Sequence, residues 1–241
     1  MKNIPKKLLS TLLMLAMLFS LSATMALAAT AQEGPVDTLL GQYINEKYPG
    51  KITVTIAAQR PVENSRVVVN VSNYDSGHTF IRLDFDDGTV IARGFSPIDD
   101  VTIPQIVDNT SIKGKLIDNA GSEWNAAVVY EITIAQAEII QNYITNFDVD
   151  DFRAVSNNCT TFAANALVAA GITPPTQKHK WTLPARSEII AALPFYIPFK
   201  GIFADQLLSK TYYGYSPADA VQDFKSNANC ILKYDGAIHK P

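Results

Sequence analysis

Apolar positions along the chain recur first with a helical period, then with the two-residue period of strands, then with a helical period again. Val36, Leu39, Leu40, Tyr43 and Ile44 share one side of a helix predicted from Val36 to Tyr48. Pro35 suits its first turn, and Pro49-Gly50 ends it. Ile52-Thr53-Val54-Thr55-Ile56 alternates apolar and polar residues and predicts a strand, as does the β-branched run from Val67 to Val71. Gly77 to Phe85 and Thr89 to Phe95 flank Asp86-Asp87-Gly88, a tight-turn signal that predicts a hairpin. Residues 97–121 scatter Pro, Asp, Asn and Gly and predict a loop.

A strand follows from Ala126 to Ile132. Thr133 then caps a helix from Ile134 to about Phe147, with Ile140, Tyr143, Ile144 and Phe147 on one face. Asp148 to Asp151 breaks it, and Phe152 to Val155 is short and extended. A further helix starts near Asn158 and stops at Gly171. Beyond Pro174-Pro175 the chain turns irregular, with helices predicted from Pro184 to Leu193 and from Ser216 to about Lys225. With no repeat, low-complexity tract or clear linker, one α+β domain is the economical expectation.

Composition narrows the class. Of the 241 residues, 47% are hydrophobic and 18% charged, as in an ordinary globular chain. The N-terminus has the form of a bacterial secretory leader. Lys2, Lys6 and Lys7 precede an uncharged run from Leu8 to Leu27, and Ala26-Leu27-Ala28 or Ala29-Thr30-Ala31 supplies the small residues that signal peptidase needs. The expectation is a leader over residues 1–28, cleaved after Ala28 or Ala31. A single mature domain would then span residues 32–241, with a C-terminal extension from about residue 174. An uncleaved anchor is the alternative, since about 20 apolar residues suffice to span a bilayer. The formal net charge of −3 becomes −6 once the three leader lysines are removed. No Lys/Arg cluster survives to bind nucleic acid or an anionic membrane surface. No cofactor and no metal is expected; Asp84, Asp86 and Asp87 lack the ligand ladder of a calcium loop and fit a turn.

Chemistry concentrates in Ser156-Asn157-Asn158-Cys159-Thr160-Thr161-Phe162-Ala163. Cys159, Phe162, Ala163, Ala166, Leu167 and Ala170 fall on one helix face. The sulfur is thus predicted in the first turn, where unpaired N–H groups and the helix dipole favour a thiolate. A small core residue is the plainer reading of the same cysteine. A nucleophilic thiol needs a base, and the chain has three histidines. His179 and His239 lie in polar surroundings, whereas His78 opens an apolar strand after Gly77. Cys230, the second of two cysteines, could pair with Cys159 in an oxidising compartment.

Ser76-Gly77-His78-Thr79-Phe80 on a strand, followed much later by Asn157-Asn158-Cys159-Thr160-Thr161-Phe162 opening a helix, resembles the circularly permuted branch of the papain-like, NlpC-type cysteine hydrolases. Their motif order, His before Cys, is shared with lecithin retinol acyltransferase-like proteins. The resemblance spans about Val67 to Ile172 and includes the helix from Ile134. It implies a small antiparallel sheet packed against the nucleophile helix, with Cys159 as nucleophile and His78 as its base. A thioester acyl-enzyme would form and pass its acyl group to water or another acceptor. The backbone N–H of Cys159 would help hold the oxyanion. The family pattern also has a polar residue that orients the His. If Asp86-Asp87-Gly88 makes a tight hairpin, Ser96 falls opposite His78; Arg93, Thr89 and Asn158 are the other choices.

Three functions stay open. The first is a secreted or cell-envelope amidase or peptidase acting on peptide or amide bonds, the cell wall included. The second is an acyltransferase or lipid ester hydrolase. The third is a catalytically silent papain-like domain that binds a partner at the cell surface.

Overall fold

The structure is a computed structural model. It describes residues 37–63, 65, 67–70, 75–99, 101, 105, 109–180, 190, 201, 204–205 and 211–240. The leader and the helix expected over residues 184–193 lie outside the described residues, apart from Ile190.

The described chain is α+β. Its helices are α1 (Thr38–Lys47), α2 (Ile134–Thr145), α3 (Cys159–Ala169) and α4 (Pro217–Phe224). Its strands are β1 (Ile52–Gln59), β2 (His78–Asp84), β3 (Val90–Pro97), β4 (Gly114–Asp118), β5 (Ala126–Ile132), β6 (His179–Lys180), β7 (Tyr213–Gly214), β8 (Cys230–Tyr234) and β9 (Ala237–His239). Seven strands form one sheet in the order β4-β3-β2-β1-β5-β8-β9, each antiparallel to its neighbour. The pair β6-β7 stands apart as a ribbon. No described helix is long and apolar enough to cross a membrane.

Each helix begins where a short polar side chain can satisfy the first free N–H groups. Asp37 caps α1, one residue past the expected start, by accepting from Leu40 N. Thr133 and Gln136 form a reciprocal capping box on α2. Asn158 caps α3 and Ser216 caps α4, where Pro217 takes the first turn. The hairpin between β2 and β3 closes as predicted. Phe85 N donates to Thr89 O, and Gly88 adopts φ +86°, which suits a residue without a Cβ.

Strand alternation divides the side chains between two faces. Val54, Ile56, Ala58, Ile81, Leu83, Ala126 and Val128 point to a large core completed by α2, α3 and α4. There Phe162 meets Phe95, Tyr143 and Phe147, with the Phe147 ring edge-on at 4.7 Å. Ala57, Phe80, Ala127 and Val129 point the other way, against Leu40 and Ile44 of α1 and against Trp124. Thr53 and Thr55 lie on this second face. Although they are the polar positions of the β1 alternation, both threonines are fully buried, because helices cover both sides of the sheet. Beside them Arg82 grips Asp84 through Nε and Nη2 in a buried ion pair at 2.6–3.0 Å.

Three regions differ from the sequence expectation. Val67 to Asn70 form no strand; Asn70 makes an isolated bridge to Asp75, and Val71 lies outside the described residues. Both edges of β2 are already taken by β1 and β3, so no pairing site remains there. Val68 and Val69 still bury in the large core. The expected loop over residues 97–121 contains β4, which pairs with β3 from Arg93↔Asp118 to Pro97↔Gly114. The C-terminal residues carry β8 and β9, which extend the sheet from β5.

Phe162 is fully buried at the centre of the aromatic cluster. Phe162→Ala is expected to lower unfolding free energy by about 3–5 kcal/mol, the usual cost of a large-to-small change at such a site. Urea unfolding followed by circular dichroism measures it; a loss under about 1 kcal/mol would mean the cluster is not tightly packed.

Candidate active site

Cys159 is the first residue of α3, and the sequence dictates that position locally. Asn158 Oδ1 accepts from Thr160 N at 3.0 Å and Thr161 N at 3.1 Å, so the helix can begin only after it. The turn before it is clamped by Asn109, whose Oδ1 accepts from Val155 N and Ser156 N and whose Nδ2 donates to Ser156 Oγ. Asn158 Nδ2 reaches the carbonyls of Ala154 and Tyr215. Asn158 therefore anchors the helix start and does not orient the histidine.

α3 lies across the start of β2. Thr160 Oγ1 and Thr79 Oγ1 share a buried hydrogen bond of 2.9 Å. The N–H of Thr79 points to the Cys159 sulfur. That N–H belongs to the peptide joining His78 to Thr79, so the structure brings the nucleophile candidate to the backbone of the base candidate. The two side chains of the strand diverge there. Thr79 faces α3, while the His78 ring shares its face with Phe80, stacked at 6.3 Å. A direct ring-to-sulfur hydrogen bond is not among the described contacts.

The ring's partner is Asn119, just past the end of β4. His78 Nε2 and Asn119 Oδ1 are 3.4 Å apart, a long contact inside a dry site. Asn119 Nδ2 donates to Ser122 Oγ at 2.8 Å, which turns its carbonyl oxygen toward the ring. A carbonyl only accepts, so Nε2 carries the proton and Nδ1 keeps the lone pair. Between the two residues lies Gly94 of β3. A Cβ there would come within 2.3 Å of His78 Nε2 and 2.5 Å of Asn119 Oδ1. The missing methyl lets a side chain from just past β4 reach across β3 to a ring on β2.

The orienting residue is thus absent from the choices the sequence offered. Ser96 does fall opposite His78 when the β2-β3 register is continued from Ile81↔Arg93. Arg93 instead bonds the Ala92 carbonyl and pairs with Asp118, and Thr89 closes the hairpin. Asn119 was hidden because β4 was taken for loop. The one signal available was Gly94, a glycine in mid-strand, which marks a close approach by another group.

Electrostatically the pair is neutral. Burial pushes the His78 pKa down to about 4, and the Asn119 bond opposes this only in part. Burial also pushes the Cys159 thiol above its ordinary value, although the Thr79 and Thr160 groups and the helix's first N–H donors pull the other way. The expected thiolate is therefore corrected to a thiol. The helix terminus does favour the anion, but desolvation at a buried sulfur outweighs it. Cys159 and Cys230 are both free and buried, so no disulfide links them. Burial lifts Cys230 to about 11.

The remaining candidates have structural partners. Asp84 holds Arg82, and Asp87 accepts from Thr89 N in the hairpin turn. His179 pairs with Asp223 at 2.9 Å, and His239 stacks on Tyr234. The described residues contain no group of three or more His, Cys, Asp or Glu able to hold a metal.

Compared with known proteins, the chain matches no family model, no curated protein and no solved structure.

Two measurements probe this geometry. Because the folded His78 pKa lies below its unfolded value of about 6.5, the unfolded state binds the proton more readily. The contribution is complete above about pH 6.5 and is lost as pH falls toward 4. By pH 5 wild type is expected to lose about 2 kcal/mol that His78→Phe retains. Urea titrations at pH 7 and pH 5 compare the two, and parallel losses would show that the ring is not buried neutral. Gly94→Ala is expected to evict the ring and move its titration by NMR back up toward the ordinary range. An unmoved titration would rule out the wedge over Gly94.

Proposed function

We propose that this chain is a cysteine hydrolase of the permuted papain-like type, cleaving peptide or amide bonds through a thioester on Cys159. The observation that carries the reading is the Cys159 sulfur in the first turn of α3 against the His78–Thr79 peptide, with the His78 ring held by Asn119. For His78 to take the thiol proton as sulfur attacks the substrate carbonyl, its ring has to turn from the face it shares with Phe80 toward the sulfur. The ring then returns that proton to the leaving amine, and water releases the acyl group by the reverse sequence. Thr160 N and Thr161 N are taken by the Asn158 cap, which leaves Cys159 N as the donor for the oxyanion. Burial keeps the ring neutral above about pH 4, and the same burial makes it a weak base for the thiol. The leader sequence supports an extracellular or cell-envelope setting.

One observation favours a second reading, a catalytically silent binding domain on the same fold. Cys159 is only 7% exposed and its thiol is held protonated by burial.

Acetyl transfer from p-nitrophenyl acetate at pH 7 separates the two. A hydrolase is expected to carry a transient acetyl group on Cys159, seen by acid quench and mass spectrometry. His78→Ala is expected to slow acylation by about 10²–10⁴-fold, the usual size of general-base catalysis. Asn119→Ala is expected to slow it less while moving the acid limb of the pH profile. No acetyl on Cys159, or equal rates with and without His78, would leave the binding domain as the function.

A further inference from the structure

The ribbon of β6 and β7 has no part in the chemistry above, yet it lies against the residues that lead into Cys159. His179 pairs with Gly214 and Lys180 with Tyr213. On one side the ribbon presses on the nucleophile turn. A Cβ at Gly214 would stand 2.3 Å from the Val155 carbonyl oxygen, so the two backbones are in direct contact. The Tyr215 carbonyl accepts from Asn158 Nδ2 at 2.8 Å, one residue before the nucleophile candidate. On the other side the ribbon is tied to α4. The Asp223 carboxylate accepts from His179 Nε2, from Thr176 Oγ1 at 2.9 Å and from Gln177 N at 3.1 Å. Lys178 Nζ lies 5.9 Å from the centroid of the Tyr215 ring and links the two edges.

We propose that this ribbon is a cover on the nucleophile turn, latched through Asp223, and that it swings aside to admit a substrate carbonyl to Cys159. The inference rests on the reading of Cys159 as nucleophile and adds the control of access to it. Three features fit a part that moves. The ribbon pairs only two residues per strand, too few to be stable alone. Its hydrogen bonds to α3 and α4 are polar and local, and the buried Tyr212 before β7 fixes one end in the large core. The Asn158 cap does not need it, because Oδ1 holds the helix N–H groups while Nδ2 holds Tyr215. Lifting the ribbon therefore leaves the helix start in place.

The test is labelling by N-ethylmaleimide, resolved by mass spectrometry at each cysteine of the purified chain. Cys230 lies in the core on β8, so its labelling reports global unfolding in the same sample. Gly214→Val pushes the ribbon off Val155, and Asp223→Asn loosens the latch. Each is expected to speed Cys159 labelling at least tenfold while Cys230 labelling stays as in wild type. Unchanged Cys159 labelling in both variants, or a parallel rise at both cysteines, would overturn the cover. The acceleration is also expected on a His78→Ala background, because access needs no base. A protein that never acylates Cys159 yet shows this acceleration keeps the cover and loses the hydrolase reading; acylation without acceleration does the reverse.

Discussion

The close approach of α3 to β2 is the constraint on which the rest of the candidate site depends. Only a helix face of small residues permits it. Thr160, Ala163, Ala164 and Ala166 are all fully buried there, and the hydroxyls of Thr160 and Thr79 meet at 2.9 Å across the junction. Bulkier side chains would hold helix and sheet at ordinary spacing and carry the sulfur away from the His78–Thr79 peptide. Phe162, the largest residue on this helix, fills the aromatic cluster beside α2. One face thus supplies both a tight contact at its N-terminus and a firm anchor one turn later.

Close packing also sets the electrostatics. A helix N-terminus pulls a thiol toward its anion, and here the Thr79 N–H adds to that pull. Dry surroundings act on both partners in the opposite sense, raising the thiol and lowering the imidazole. A resting ion pair is thereby suppressed in favour of a neutral pair. In the proposed reaction such a pair would gain its charges only as sulfur attacks the substrate carbonyl. The space over Gly94 and the Asn119–Ser122 contact fix the position of the His78 ring.

Much of the framework could be read along the chain. Helix starts at Thr133, Asn158 and Ser216 were visible because a cap is a local event: one side chain satisfies donors two or three residues away. The β2-β3 hairpin was visible for the same reason, since Asp86-Asp87-Gly88 decides its own turn. Val67 to Val71 misled because β propensity describes a side chain suited to a sheet, whereas a strand also needs a free neighbour. β4 was missed because its five residues alternate only weakly, and its pairing partner is fixed by β3. The strand β8 joins β5 from about a hundred residues away, a distance no local pattern spans, and β9 follows it through the local turn at Asp235-Gly236.

By itself the sequence determined the caps, the turn, the helix that opens with Cys159 and the strand that opens with His78. Each of these is settled by neighbours within a few residues. Tertiary structure alone decided that the sulfur meets the His78–Thr79 peptide, that Asn119 reaches the ring across Gly94, and that the β6-β7 ribbon lies on the nucleophile turn. It also decided the protonation states, because desolvation depends on how much of the chain surrounds a group. Burial is a sum over distant segments, and no stretch of sequence carries that sum on its own.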